Sequence, residues 1–156
     1  MRLMTCTAMS TLLLASACAP RAPSKPNADP SASSEARLEL LEISPAAGST
    51  LERSSTIVAR LQFAVTPRAQ QRYKASAKFQ EVDGKTLFDG SFPNEAYFWI
   101  QNDQGTIELS FPMKYVYDEP RLGRPIRVCY VLARQLTSTT SRIVSQTEFV
   151  SYARGS

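Results

Sequence analysis

No histidine occurs in the 156 residues. Its absence removes the usual Ser-His-Asp and Cys-His arrangements, in which an imidazole takes the nucleophile's proton. It also removes imidazole as a ligand for zinc or copper. Cysteine is nearly missing as well: Cys6, Cys18 and Cys129 are the three, and two of them fall in the first 18 residues. A domain left with Cys129 alone forms no internal disulfide, and a lone thiol in an oxidising compartment is expected to be buried. Met113 is the one methionine after Met9. Donors this sparse imply no metal centre and no cofactor. The glycines stand singly, so no glycine-rich phosphate loop exists. No apolar run reaches the length of a membrane-spanning helix. No two Lys or Arg residues are adjacent, and a net charge of +4 without a basic stripe excludes nucleic acid as a partner.

Carboxylates are the remaining catalytic chemistry. Asp83, Asp89 and Asp103 sit in turn sequences, where aspartate bonds the local backbone. Asp118-Glu119-Pro120 reads as a solvated loop. None of these spacings poises two acids against each other, so the chain is read as a non-enzyme.

Residues 1–17 carry the parts of a secretory signal. Arg2 supplies the positive start, Ala8, Met9 and Leu12 to Leu14 an apolar segment, and Ala15-Ser16-Ala17 the small residues at a cut. Followed by Cys18, that triplet resembles the lipobox of bacterial lipoproteins. The resemblance implies that the Cys18 thiol takes a diacylglyceryl group and that cleavage leaves Cys18 as an acylated N-terminus. The first lipobox position, usually Leu, is Ala15 here. The same triplet also fits an ordinary signal-peptidase site, which would leave Cys18 without lipid. Ala19 stands where an aspartate retains many lipoproteins in the inner membrane, so the resemblance implies an outer-membrane location.

From 18 to 35 the chain reads as a linker. Residues 19–35, APRAPSKPNADPSASSE, hold four prolines and no large apolar side chain. Such a segment buries too little surface to offset its ordering entropy and is expected to be disordered. It reaches about 20 Å as a coil and about 50 Å as polyproline. A tether of that length would lift residues 36–156 off a membrane.

Residues 36–156 read as strands. In STIVARLQFAV (55–65), Ile57, Ala59, Leu61, Phe63 and Val65 alternate with other side chains, and RYKASAKFQ (72–80) does the same with Tyr73, Ala75, Ala77 and Phe79. Asp83-Gly84 between two such runs predicts a hairpin pairing Phe79 with Phe88 and Val82 with Lys85. A second hairpin is expected over 96–111, pairing Phe98 with Leu109 and Ile100 with Ile107. IRVCYVLA (126–133) is continuously apolar, as in a strand covered on both sides. Tyr130 is expected in the core with its hydroxyl on a backbone carbonyl. LELLEI (38–43) and SRIVSQTEFVSY (141–152) bring the count to seven or eight strands. That number, with short turns, predicts an all-β, single immunoglobulin-like antiparallel β-sandwich, with a small barrel as the alternative. EISPAAGSTLERSSTIVARLQF (42–63) resembles the opening of bacterial Ig-like domains, with Pro45 and Gly48 at the turn positions.

For function, the aromatic residues give the lead. The predicted 96–111 register turns Tyr97 and Trp99 away from the core, as a pair of anchors for a partner. The other arrangement has the 111–120 segment folded over them as a satellite cluster. Tyr115 and Tyr117 would extend the patch or supply that cover. The expected role is binding another envelope or secreted protein, with the membrane reached through Cys18. The alternatives are a ligand-binding or inhibitory lipoprotein using the loop 112–125, and a structural subunit of an envelope assembly.

Overall fold

The computed structural model describes residues 36–66, 71–88 and 97–155. The signal segment, Cys18 and the linker lie outside them. The described strands are β1 (Ala36–Ser44), β2 (Thr50–Leu51), β3 (Thr56–Val65), β4 (Tyr73–Gln80), β5 (Leu87–Phe88), β6 (Tyr97–Trp99), β7 (Gln104–Pro112), β8 (Ile126–Gln135), β9 (Ser141–Gln146) and β10 (Val150–Arg154). They form two sheets. One has the order β1-β3-β7; the other runs β2-β10-β8-β4-β5, with β9 continuing β10 along β8 and β6 beside β4. This strand order, with every ladder antiparallel except β2 on β10, is an immunoglobulin-like sandwich.

Local sequence explains the irregularities. In LELLEI two leucines stand side by side, and there the β1 ladder slips: Leu40 faces Leu61 but Glu42 faces Arg60. The bulge leaves Leu41 at 45% exposure and returns Ile43 to the core side. After β1 the chain turns at 46–49, closed by the Ser49 amide on the Ala46 carbonyl at 3.1 Å. Gly48 takes φ +82°, which only glycine adopts freely. The turn moves the chain across to the second sheet, where β2 pairs with β10.

The core lies between the sheets and is made by the alternation seen in the sequence. Ile57, Ala59, Leu61 and Phe63 face Ala75, Ala77, Phe79, Val128 and Leu132, all buried. Phe79 packs on Phe88 and on Phe111, with ring centroids 6.1 and 4.9 Å apart. Among the described residues the core runs from Ala36 to Tyr152. Phe79 pairs with Phe88 as predicted, but Val82 does not pair with Lys85: its amide donates to the Arg121 carbonyl and the Lys85 amide to Asp83. The ladder ends at the Glu81 amide on the Thr86 carbonyl. In the loop, Asp83 accepts from the amides of Lys85 and Thr86 and from the Thr86 hydroxyl, which holds its carboxyl below the usual range.

Three further expectations are corrected. First, 96–111 is not a hairpin. Trp99, Phe98 and Tyr97 pair with Lys74, Ala75 and Ser76, while β7 pairs with β3 from Gln104 to Pro112. The chain changes sheets at 100–103, because β7 has nine residues of matching partner on β3 and β6 has only three beside β4. Second, 112–125 is not a projecting loop. Met113, Val116, Tyr117 and Leu122 are buried and anchor it as a plug, with Leu122 bridged to Glu81. Third, Tyr130 is buried but its hydroxyl has no partner. The bond to a backbone carbonyl is made by Tyr152 instead, donating to Pro45 at 3.0 Å. Burial pushes Tyr152 up to about 12, and pushes Tyr130 well above the usual tyrosine range.

Candidate interaction surface

The outward side of the larger sheet can be mapped from its registers. Tyr73, Ala75, Ala77 and Phe79 point into the core, so Lys74, Ser76 and Lys78 point out. Directly opposed residues share a face. One outward row is therefore Trp99, Lys74, Ala133 and Ile143, and the next is Tyr97, Ser76, Val131 and Gln146. Lys78 and Cys129 follow. With strands about 4.8 Å apart, the first row spans roughly 14 Å.

The middle of this face is closed and its margins are open. Ser76, Cys129, Val131 and Ala133 are at most 4% exposed, whereas Trp99 is 38% and Ile143 44% exposed. Cys129, Val131 and Ala133 stand apart from the cluster between the sheets, which agrees with their outward register. Burial pushes the Cys129 thiol up to about 11, while the Lys78 ammonium nearby pulls it back slightly. The thiol is thus protonated and inert at neutral pH. Cations lie over both margin rings: the Arg72 guanidinium is 5.5 Å from the centre of Trp99, and the Lys74 ammonium 5.1 Å from that of Tyr97.

Charge divides the two sheets. The strands of the larger sheet carry Lys74, Lys78, Arg127, Arg134, Arg142 and Arg154 and not one Asp or Glu. Those of the smaller carry Glu39, Glu42 and Glu108 against Arg37 and Arg60. The sheet whose described strands carry no acid is the one that bears Tyr97 and Trp99.

The other two aromatic candidates lie elsewhere. Tyr115 is half exposed, 6.5 Å from the Phe111 ring and beneath the Lys114 ammonium at 5.1 Å. Tyr117 is buried, donates to the Gly155 carbonyl at 2.9 Å, and carries the Arg154 guanidinium 4.4 Å from its ring centre. Their neighbour Phe111 packs on Phe79, five residues along β4 from Lys74 and hence about 16 Å away from the Trp99 row. The four residues do not form one surface. Nor does the 111–120 segment cover Tyr97 and Trp99.

Ile143 had no place in the sequence analysis, and Phe98, expected on a buried face opposite Leu109, pairs with Ala75 and is exposed. The β8 ladder slips between Leu132 and Ala133, and this shift of phase decides which side Ile143 takes. Phe98 shares the core side with Ala75, yet β6 sits at the sheet margin and leaves Phe98 40% exposed. Among the described residues no group of Cys, Asp and Glu could hold a metal ion, and no helix is long and apolar enough to cross a membrane. Compared with protein-family models and with curated proteins, the chain matches none.

Proposed function

We propose that the chain is a lipid-anchored, non-enzymatic binding protein of the bacterial cell envelope, held at the outer membrane by acylated Cys18. Its Ig-like domain binds another envelope or secreted protein with the open aromatic margin of the larger sheet's outward face. One observation carries this reading: the face combines half-exposed Tyr97 and Trp99, fixed cations and a complete lack of carboxylates on its strands. A flat strand surface with aromatic anchors suits a protein partner, since aromatic rings with few rotamers bury much area at low entropic cost. Like-signed charge on the same face steers an oppositely charged partner into register. The linker supports the reading by giving the domain reach.

Two measurements test it. The mass of the mature N-terminal peptide should include acyl chains in the wild type and lose them in Cys18→Ser; an unmodified wild-type Cys18 removes the anchor. Cross-linking in cells should yield a partner band that Tyr97→Ala with Lys78→Glu weakens at least about tenfold, as expected when an aromatic anchor and a steering charge are lost together. An unchanged band pattern in the double variant would take the binding site off this face.

A further inference from the structure

We propose that the end of the domain from which the linker departs seats on an anionic phospholipid surface. The registers gather one set of groups there. Ala36, the first described residue, pairs with Val65, and the Val65 amide bonds Asp103 at 2.7 Å. The Ile100 amide bonds Tyr73, the Gln135 amide bonds Arg72, and Leu136 and Thr140 close the β8–β9 hairpin. The departing chain, the 100–103 crossing and this hairpin tip therefore share one end.

That end is apolar and basic. Four of the eight exposed large apolar side chains among the described residues lie at it: Phe98 (40%), Trp99 (38%), Leu136 (51%) and Ile143 (44%). Leu136 sits at the hairpin tip, three residues or about 10 Å beyond the Trp99 row. Arg72 and Arg142 are exposed beside them. The nearby carboxylates among the described residues are Asp103 and Glu39, and Glu39 is held by Arg37 at 2.9 Å. Leucine and isoleucine tips enter the outer part of a leaflet, tryptophan prefers the headgroup level, and arginines draw anionic lipid.

The linker selects this occupant over a protein. The inference rests on the lipid-anchor reading for delivery: with Cys18 acylated, this end lies within about 20 Å of the headgroups. A tether of that length supplies an effective concentration in the millimolar range, so an affinity too weak to recruit a free protein suffices. The strands then run away from the bilayer. Tyr97 and Lys78, one and two rows further along, stay clear of the lipid and available to the partner proposed above.

Trp99 is the only tryptophan of the chain, so its emission reads the docking directly. The full chain carrying Cys18→Ser, and so without lipid, is titrated with vesicles of phosphatidylethanolamine and phosphatidylglycerol, and with pure phosphatidylcholine vesicles. The expected result is a blue shift and co-sedimentation with the anionic vesicles, about a hundredfold weaker with the zwitterionic ones. Arg72→Glu with Arg142→Glu, and separately Leu136→Ser with Ile143→Ser, should each weaken binding at least about tenfold, at an unchanged unfolding midpoint. No emission change with the anionic vesicles overturns the proposal, as does binding that the arginine pair leaves intact. A shift produced by a cross-linked protein partner but not by vesicles would assign this end to that protein and overturn it too. Failure of the anchor itself shows in the N-terminal mass, while the vesicle titration still reads the docking.

Discussion

The two sheets share a core but differ in what they show to the outside. On their inner sides both follow the same rule, alternating apolar residues at near-complete burial: Ile57, Ala59 and Leu61 in one, Ala75, Ala77 and Phe79 in the other. On their outer sides they part. The smaller sheet shows exposed Arg60, Gln62, Thr106 and Glu108, an ordinary wet surface of mixed charge. The larger keeps Ser76, Cys129, Val131 and Ala133 closed on its outer side, ringed by aromatics and cations, without one acid in its strands. Folding needs only the inner alternation. The binding role proposed above rests on this outer asymmetry.

A carboxylate placed on each outer face should break the symmetry most. Val131→Glu puts a charge where exposure is 0% and should cost about 3–5 kcal/mol in urea unfolding. Gln62→Glu on the smaller sheet should stay within about 0.5 kcal/mol. Equal and small costs would mean that the outer side of the larger sheet is as wet as its counterpart.

Alkaline pH should come next, and through the larger sheet alone. The strands of the smaller sheet contain no Tyr or Cys. Tyr152 moves from an ordinary value of 10.0 to about 12 in the folded protein, through burial. The folded state therefore keeps a proton that the unfolded state has lost. Its contribution is complete below pH 10, declines as pH rises from 10 to 12, and stays under about 3 kcal/mol, less what solvent screening removes. Cys129 acts in the same direction from 9.0 to about 11. Unfolding midpoints measured from neutral to alkaline pH should fall in that window. Tyr152→Phe should flatten the slope, at a cost of about 1 kcal/mol for the lost bond to Pro45.

The smallest effect belongs to the smaller sheet. Arg37 and Glu39 pair at 2.9 Å but are 72% and 49% exposed. Glu39→Gln should change stability by under about 0.5 kcal/mol, and less in high salt. A larger, salt-insensitive loss would show that this face too is organised for something beyond solvation.

Particular elements show how far the sequence could be read. β3 and β4 were legible because period-two patterning declares both strand and face, and Phe79–Phe88 was legible because Asp-Gly sets a register. Tyr97 and Trp99 were read as outward from a hairpin that does not form. Their outward side comes from pairing with Ser76 and Lys74, so the direction matched for a different reason. The plug 112–125 was misread because Met113, Val116 and Leu122 have no regular period, and irregular segments reveal their burial only through what they cover.

The sequence by itself determined the sandwich, since alternation forces one side of each strand out of water, and it determined the lack of imidazole and of a domain disulfide. Only the tertiary structure decided which strands became neighbours. Three residues of β6 carry too little local information to choose between β7 and β4, and the choice falls to the sheet that leaves β7 its full ladder with β3. That choice set Trp99 in one row with Lys74 and Ile143, and sent Tyr115 and Tyr117 to the opposite end.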